Sequence, residues 1–94
     1  MKLRYTLPAL AGLERVLSYL EGRSPSAARN VRVRIQAVTQ LLLKNPRAGR
    51  RTRRGYRIST WPYPYLIFYK PDGDERIIHA IRHDARNPTT MPDA

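Results

Sequence analysis

The 94-residue chain contains no cysteine. Disulfides and thiolate zinc sites are therefore excluded, and the fold must hold by packing alone. Long apolar runs are missing too. No stretch approaches the roughly 18 unbroken apolar residues of a membrane helix, so no membrane association is expected. The opening residues carry early charges at Lys2 and Arg4, and Pro8, Glu14 and Arg15 interrupt what would have to be the apolar core of a secretory leader. Secretion is not expected, and a reducing cytoplasm suits a chain without cysteine. Acid is the scarcest feature. Seven Asp and Glu stand against 18 Lys and Arg, a formal net charge of +11, and from Gly22 to Pro71 there is no acid at all. A surface of one sign repels itself unless something negative covers it. Nucleic acid and an acidic protein both qualify. Fifteen of the 18 cations are arginine, the residue whose planar fork holds phosphate or carboxylate with two parallel hydrogen bonds.

A chain of this length builds one domain. That domain is expected to span residues 1–88, with a frayed tail at 89–94. Leu3 and Tyr5 alternate with Lys2, Arg4 and Thr6, which predicts a short first strand. Pro8 marks the start of a helix whose Leu10, Leu13, Leu17 and Leu20 form one stripe, and Gly22 is expected to end it. Ser24-Pro25 predicts the cap and first turn of a second helix. Ala28, Val31, Ile35, Val38 and Leu42 recur at threes and fours, the clearest periodicity in the chain, and Asn45-Pro46 closes it. So short a connection predicts an antiparallel helical hairpin. A basic loop, 46–55, follows. Three strands are then expected over 56–60, 63–69 and 76–83, the last two joined by the turn Pro71-Asp72-Gly73-Asp74. The predicted class is α+β, with the hairpin on one face of a mainly antiparallel sheet.

Several residues invite a chemical reading, each beside a plainer one. The loop carries Arg47, Arg50, Arg51, Arg53 and Arg54. It is either a solvated segment or a contact for an anionic partner, and the missing acids favour contact. Tyr63, Tyr65 and Tyr69 share a parity, with Leu66 and Phe68 on the other. The tyrosines either stack on bases or pack under a helix. His79 and His83, four apart on a strand, lie roughly 13 Å from each other, too far to share a metal ion. His83 at the strand end could still move protons. Arg57, Arg82 and Arg86 could converge on the open face. No phosphate-cradling glycine loop or nucleophile constellation is present.

Three segments together resemble the ParE/RelE superfamily of small bacterial toxins from type II toxin–antitoxin pairs. They are LRYTLPALAGLERVLSYL, SPSAARNVRVRIQAVTQLLLKNPRAGR, and GYRISTWPYPYLIFYK followed by IIHAIRHDARNP. The aromatic-Pro-aromatic strand and the closing I.H..R.P are typical of the ParE branch. The resemblance implies a strand, two helices and three antiparallel strands, with no cofactor. It also implies a cognate antitoxin whose C-terminal segment, often acidic, wraps the toxin in a heteromeric complex. The residues expected to meet it are Leu13, Leu17, Arg29, Arg32, Tyr63 and Tyr65. RelE-like members cut messenger RNA in the ribosome, whereas ParE-like members poison DNA gyrase. Of the nuclease set, Arg57 matches the second-strand position and Arg86 the one after the last strand. Tyr65 stands where a third-strand arginine is expected, and Asn87-Pro88 replaces the aromatic residue that often follows. The incomplete set favours gyrase. His83 keeps the ribosomal alternative, with Arg57 and Arg86 holding phosphate, and a non-toxic nucleic-acid binding module is a further one. The expected target contacts are Arg57, Arg82, His83 and Arg86, then Arg53 and Arg54.

Overall fold

The computed structural model describes residues 2–84. Arg86 and the expected tail at 89–94 lie outside them. In order along the chain come β1 (Lys2–Tyr5), α1 (Leu7–Arg23), α2 (Pro25–Lys44), β2 (Arg50–Thr52), β3 (Gly55–Ser59), β4 (Tyr65–Asp72) and β5 (Glu75–His83). The strands form one sheet ordered β1-β5-β4-β3-β2. β1 runs parallel to β5 and every other pairing is antiparallel. Both helices lie on one face, as the α+β reading expected.

Each helix begins where a side chain can accept a free N–H. The Thr6 hydroxyl accepts from Ala9 N at 3.2 Å, with Pro8 in the first turn. Ser24 serves both helices. Its N–H donates to Leu20 O at 2.6 Å and closes α1, and its Oγ accepts from Ala27 N at 3.2 Å and opens α2. One residue therefore joins the helices, which forces the tight antiparallel hairpin. Gly22 does not end α1. The helix runs on to Arg23, because the stop comes from the extended backbone of Ser24.

α2 buries Ala28, Val31, Ile35, Val38 and Leu42, the predicted stripe. α1 keeps Leu13, Leu17 and Leu20 of its predicted stripe against the core and adds Ala9, Gly12 and Val16, while Leu10 is 42% exposed. Gly12 sets how closely the helix approaches the sheet. A Cβ there would stand 3.0 Å from the carbonyl oxygen of Ile81, so the glycine lets α1 lie directly on β5.

The sheet departs from expectation in two places. Arg50–Thr52, read as loop, pairs with β3 as an edge strand. β5 also carries one extra residue where Phe68 opposes Ala80 and Tyr69 opposes Ile78. His79 is the bulged residue, and the strand changes phase there. The β4–β5 turn needs only Gly73 and Asp74. Gly73 has a φ of 61°, the left-handed conformation that glycine adopts without strain.

On β4, Tyr65, Ile67 and Tyr69 face the helices and complete the core with Ile78 and Ile81. The tyrosines thus pack beneath the helical hairpin rather than stand open for stacking. Burial holds the Tyr5, Tyr65 and Tyr69 hydroxyls above the ordinary tyrosine value of 10.0. In the unfolded chain they lose their protons first, so the folded state binds more protons above that value. The tyrosine contribution to stability should therefore be level below about pH 10 and fall as pH rises beyond it. Urea midpoints measured across the alkaline range check this, and a Tyr5→Phe, Tyr65→Phe double variant should show a shallower fall.

Candidate functional site

The sheet face away from the helices is built by cross-strand neighbours, which share a side. One row runs Arg50, Arg57, Phe68, Ala80, and the next runs Ser59, Leu66, Arg82. The guanidinium of Arg82 lies 5.9 Å from the centre of the Phe68 ring, within reach of a cation–π attraction. Arg53 and Arg54 form the tip of the β2–β3 hairpin, which completes a recess of about 290 Å³ lined by Thr52, Arg53, Arg54, Phe68, His79, Ala80 and Arg82. No acid lines it. Around the sheet edge lies a shallower cleft of about 520 Å³, to which Arg47, Arg51, Arg53, Arg54 and Lys70 contribute.

The basic edge is anchored from beneath. The hydroxyl of Tyr69, itself fully buried, accepts from Gly49 N at 3.0 Å and donates to Pro46 O at 3.0 Å. The Tyr69 ring stacks on Tyr56 with centroids 5.5 Å apart. The Arg51 guanidinium sits 5.8 Å from the Tyr56 ring. Tyr69 thereby ties the end of α2 and the start of β2 to the middle of the sheet.

The predicted target residues divide. Arg57 and Arg82 lie on the open face, with Arg53 and Arg54 at its rim. His83 does not join them. It pairs across the strands with Tyr65 and meets that ring edge-on at 5.4 Å, on the helix side of the sheet. Arg57 and His83 therefore do not share a surface. The recess histidine is His79, whose ring centre is 6.4 Å from that of Phe68. Its only signal in the sequence would have been the bulge, which strand parity does not reveal.

The predicted antitoxin contacts divide as well. Leu17 and Tyr65 are core residues, 7% and 5% exposed, so their apolar surface is already spent inside the fold. Leu13 and Tyr63 pack against that core. Arg29 and Arg32 are exposed on α2. The apolar side chains in solvent are others, among them Leu7 at 81%, Trp61 at 74%, Val33 at 61% and Leu41 at 43%. Val33, Ala37 and Leu41 follow one another at intervals of four along an exposed stripe of α2. The antiparallel hairpin sets the end of that stripe beside the start of α1, where Leu7 and Leu10 lie. Exposed apolar side chains recurring along one helix face can form an interface.

A basic open face, and on the other side of the domain a helical hairpin with an exposed apolar stripe on α2, suit a protein with two kinds of partner. The sequence model of the "ParE toxin of type II toxin-antitoxin system, parDE" matches residues 3–88. The chain belongs to this ParE toxin family. A Sinorhizobium fredii protein described as "Putative toxin Y4kP" is 32% identical over 92 residues, covering 96% of each chain. A solved structure, the "Chromosomal ParDE TA system from P. aeruginosa", superposes with a TM-score of 0.74 at 22% identity, over 88% of this chain and 95% of that one. At that identity the likeness establishes the fold. Membership of the ParE family implies an antitoxin partner. No helix among the described residues is long and apolar enough to cross a membrane.

Proposed function

We propose that this chain is the toxin of a type II pair, held inactive by a cognate antitoxin with an acidic C-terminal segment, and that once free in the cytoplasm it arrests growth by inhibiting DNA gyrase. The family match over nearly the whole domain carries the reading. Two placements support gyrase over RNA cleavage. Tyr65 is buried where a nuclease arginine would stand, and His83 lies on the sheet face opposite Arg57. An acid–base histidine must come within hydrogen-bond reach of the proton it moves, beside the groups that hold the phosphate. The deciding experiment is plasmid supercoiling by purified gyrase with the antitoxin-free toxin added. Inhibition or trapped cleaved DNA is expected. A protein that arrests growth but leaves gyrase untouched would overturn the target and turn the search to messenger cleavage.

The antitoxin surface follows from exposure. Leu7, Leu10, Val33 and Leu41 supply apolar contact, and Arg29 and Arg32 supply charge beside it. Burying such side chains is worth about 1.5–3 kcal/mol each. A Val33→Glu, Leu41→Glu double variant should therefore bind antitoxin at least about a hundredfold more weakly, since every 1.4 kcal/mol is about tenfold. Titration calorimetry of the complex measures the loss. Because both side chains already lie in solvent, the melting temperature of the free toxin should barely move.

A further inference from the structure

We infer that the recess on the open face is a binding site for single-stranded nucleic acid, taking one nucleotide with its phosphate on Arg53 and Arg54 and its base against Arg82. Three observations converge on that chemistry.

The first is charge. Three arginines line a recess with no acid among its described lining residues, and Arg57 and then Arg50 continue the same face outward from Phe68 toward the β2 edge. A row of arginines along a groove follows a phosphodiester chain, whereas a lone anion would need only one or two. The second is the platform. Arg82 lies over Phe68 at 5.9 Å while remaining exposed. The ring lies beneath the guanidinium, whose exposed surface can stack on a base, as arginine planes do in complexes with unpaired strands. Phe68 itself is 2% exposed, so the base would meet Arg82 rather than the phenyl ring. The third is size. At about 290 Å³ the recess has the volume of a small-ligand pocket. It is bounded by the tip of the β2–β3 hairpin, and stacking on Arg82 needs an unpaired base, which a duplex does not present. The site lies on the sheet face away from the apolar helical surface. It does not depend on the gyrase reading, since it requires neither gyrase nor antitoxin.

The test uses the antitoxin-free chain and a fluorescein-labelled thymidine oligonucleotide, followed by anisotropy across a salt series. The single strand should bind more tightly than a duplex of equal length. An Arg53→Gln, Arg54→Gln, Arg82→Gln variant should bind about tenfold or more weakly near 0.1 M salt. Its salt slope should be about 1.4 units shallower, because the phosphate contacts of Arg53 and Arg54 are lost and each such contact on a single strand is worth about 0.7. An Arg15→Gln, Arg23→Gln, Lys44→Gln variant loses the same charge from the helices and should keep both affinity and slope. Equal losses in the two variants would overturn the site, since that outcome means net charge alone attracts the strand. Tighter binding to the duplex, or to polyglutamate, would overturn the ligand. Arg82→Lys keeps the charge but not the stacking plane, so it should weaken the oligonucleotide without weakening pyrophosphate. Amide shifts in the unmodified chain give a reading free of folding effects. They should cluster at Thr52, Phe68, His79 and Arg82, and a cluster on α1 and α2 instead would refute the assignment.

Discussion

Replacing Arg76 by alanine should lower the free energy of unfolding by about 3 kcal/mol, the largest single loss expected from any charged residue in the described chain. The reason lies at the end of α2. The carbonyl of Leu42 would normally accept from the N–H four residues on, but residue 46 is proline and has none. Two orphan carbonyls, on Leu42 and Leu43, are met instead by Arg76 from β5. Its Nε donates to Leu42 O at 2.9 Å and its Nη2 to Leu43 O at 3.3 Å, while Nη1 reaches Gly73 O at 3.4 Å and Glu75 O at 3.2 Å. The residue is 3% exposed. A buried charge is costly alone, but here it faces the negative end of the helix dipole and a fan of carbonyl oxygens. Alanine would leave those oxygens buried without donors. For a domain of this size each kcal/mol is worth about 4–8 °C, so the melting temperature should drop by roughly 12–24 °C. Lysine, with one compact ammonium and no fork, should recover only part of the loss. Methionine fills much the same space without donors, so it separates packing from hydrogen bonding. A calorimetric melt in which Arg76→Met matched the unmodified chain would show that the carbonyls do not need the arginine.

Arg76 also marks where reading the sequence runs out. In a strand of alternating pattern it looks like one more surface cation. Its partners sit 33 and 34 residues away at a helix end, and no local spacing reports such a meeting. Local signals served better where the physics is local. The stripe of α2 was plain because burial at period 3.6 leaves its mark on every turn. Ser24 was readable as a cap because capping involves only the next three residues. The parity of Tyr65 and Tyr69 against Leu66 and Phe68 held, since β4 is regular along that stretch. His79 and His83 fall on opposite faces of the sheet because one bulged residue changes the phase of β5, which the spacing alone does not report. β2 was missed because Arg-Arg-Thr carries no apolar alternation. The strand exists only because Tyr69 and β3 hold it from the side. The functional face was half legible. Its charge could be counted, but its floor, Phe68 under Arg82 beside His79, is a product of register and twist.

Gly49→Ala should cost about 3 kcal/mol, close to the effect at Arg76, and it should act locally before it acts globally. A Cβ at this position would fall inside contact distance of the Arg57 carbonyl oxygen and 3.0 Å from the Tyr69 hydroxyl. Both neighbours are fixed, one as strand backbone and the other as a fully buried ring, so the chain at Gly49 must move away. Doing so breaks the Gly49 N–H to Tyr69 Oη bond and draws β2 off β3. Tyr69→Phe removes the same bond from the other side without a clash, and should cost about 1–2 kcal/mol. Because both changes undo one clamp, the double variant should lose less than the two single losses added together, and the difference measures their coupling. Hydrogen exchange distinguishes this from general weakening. The amides of β2 should exchange faster in either variant, while those of Val31, Ile35 and Val38 in α2 keep their order of protection. Since β2 carries Arg50 and Arg51 and leads into the Arg53-Arg54 tip, loosening it should also splay the recess and weaken oligonucleotide binding in protein that is still folded. Uniform loss of protection across α2 and the sheet would instead mean that Gly49 and Tyr69 support the whole core and that the basic edge has no anchor of its own.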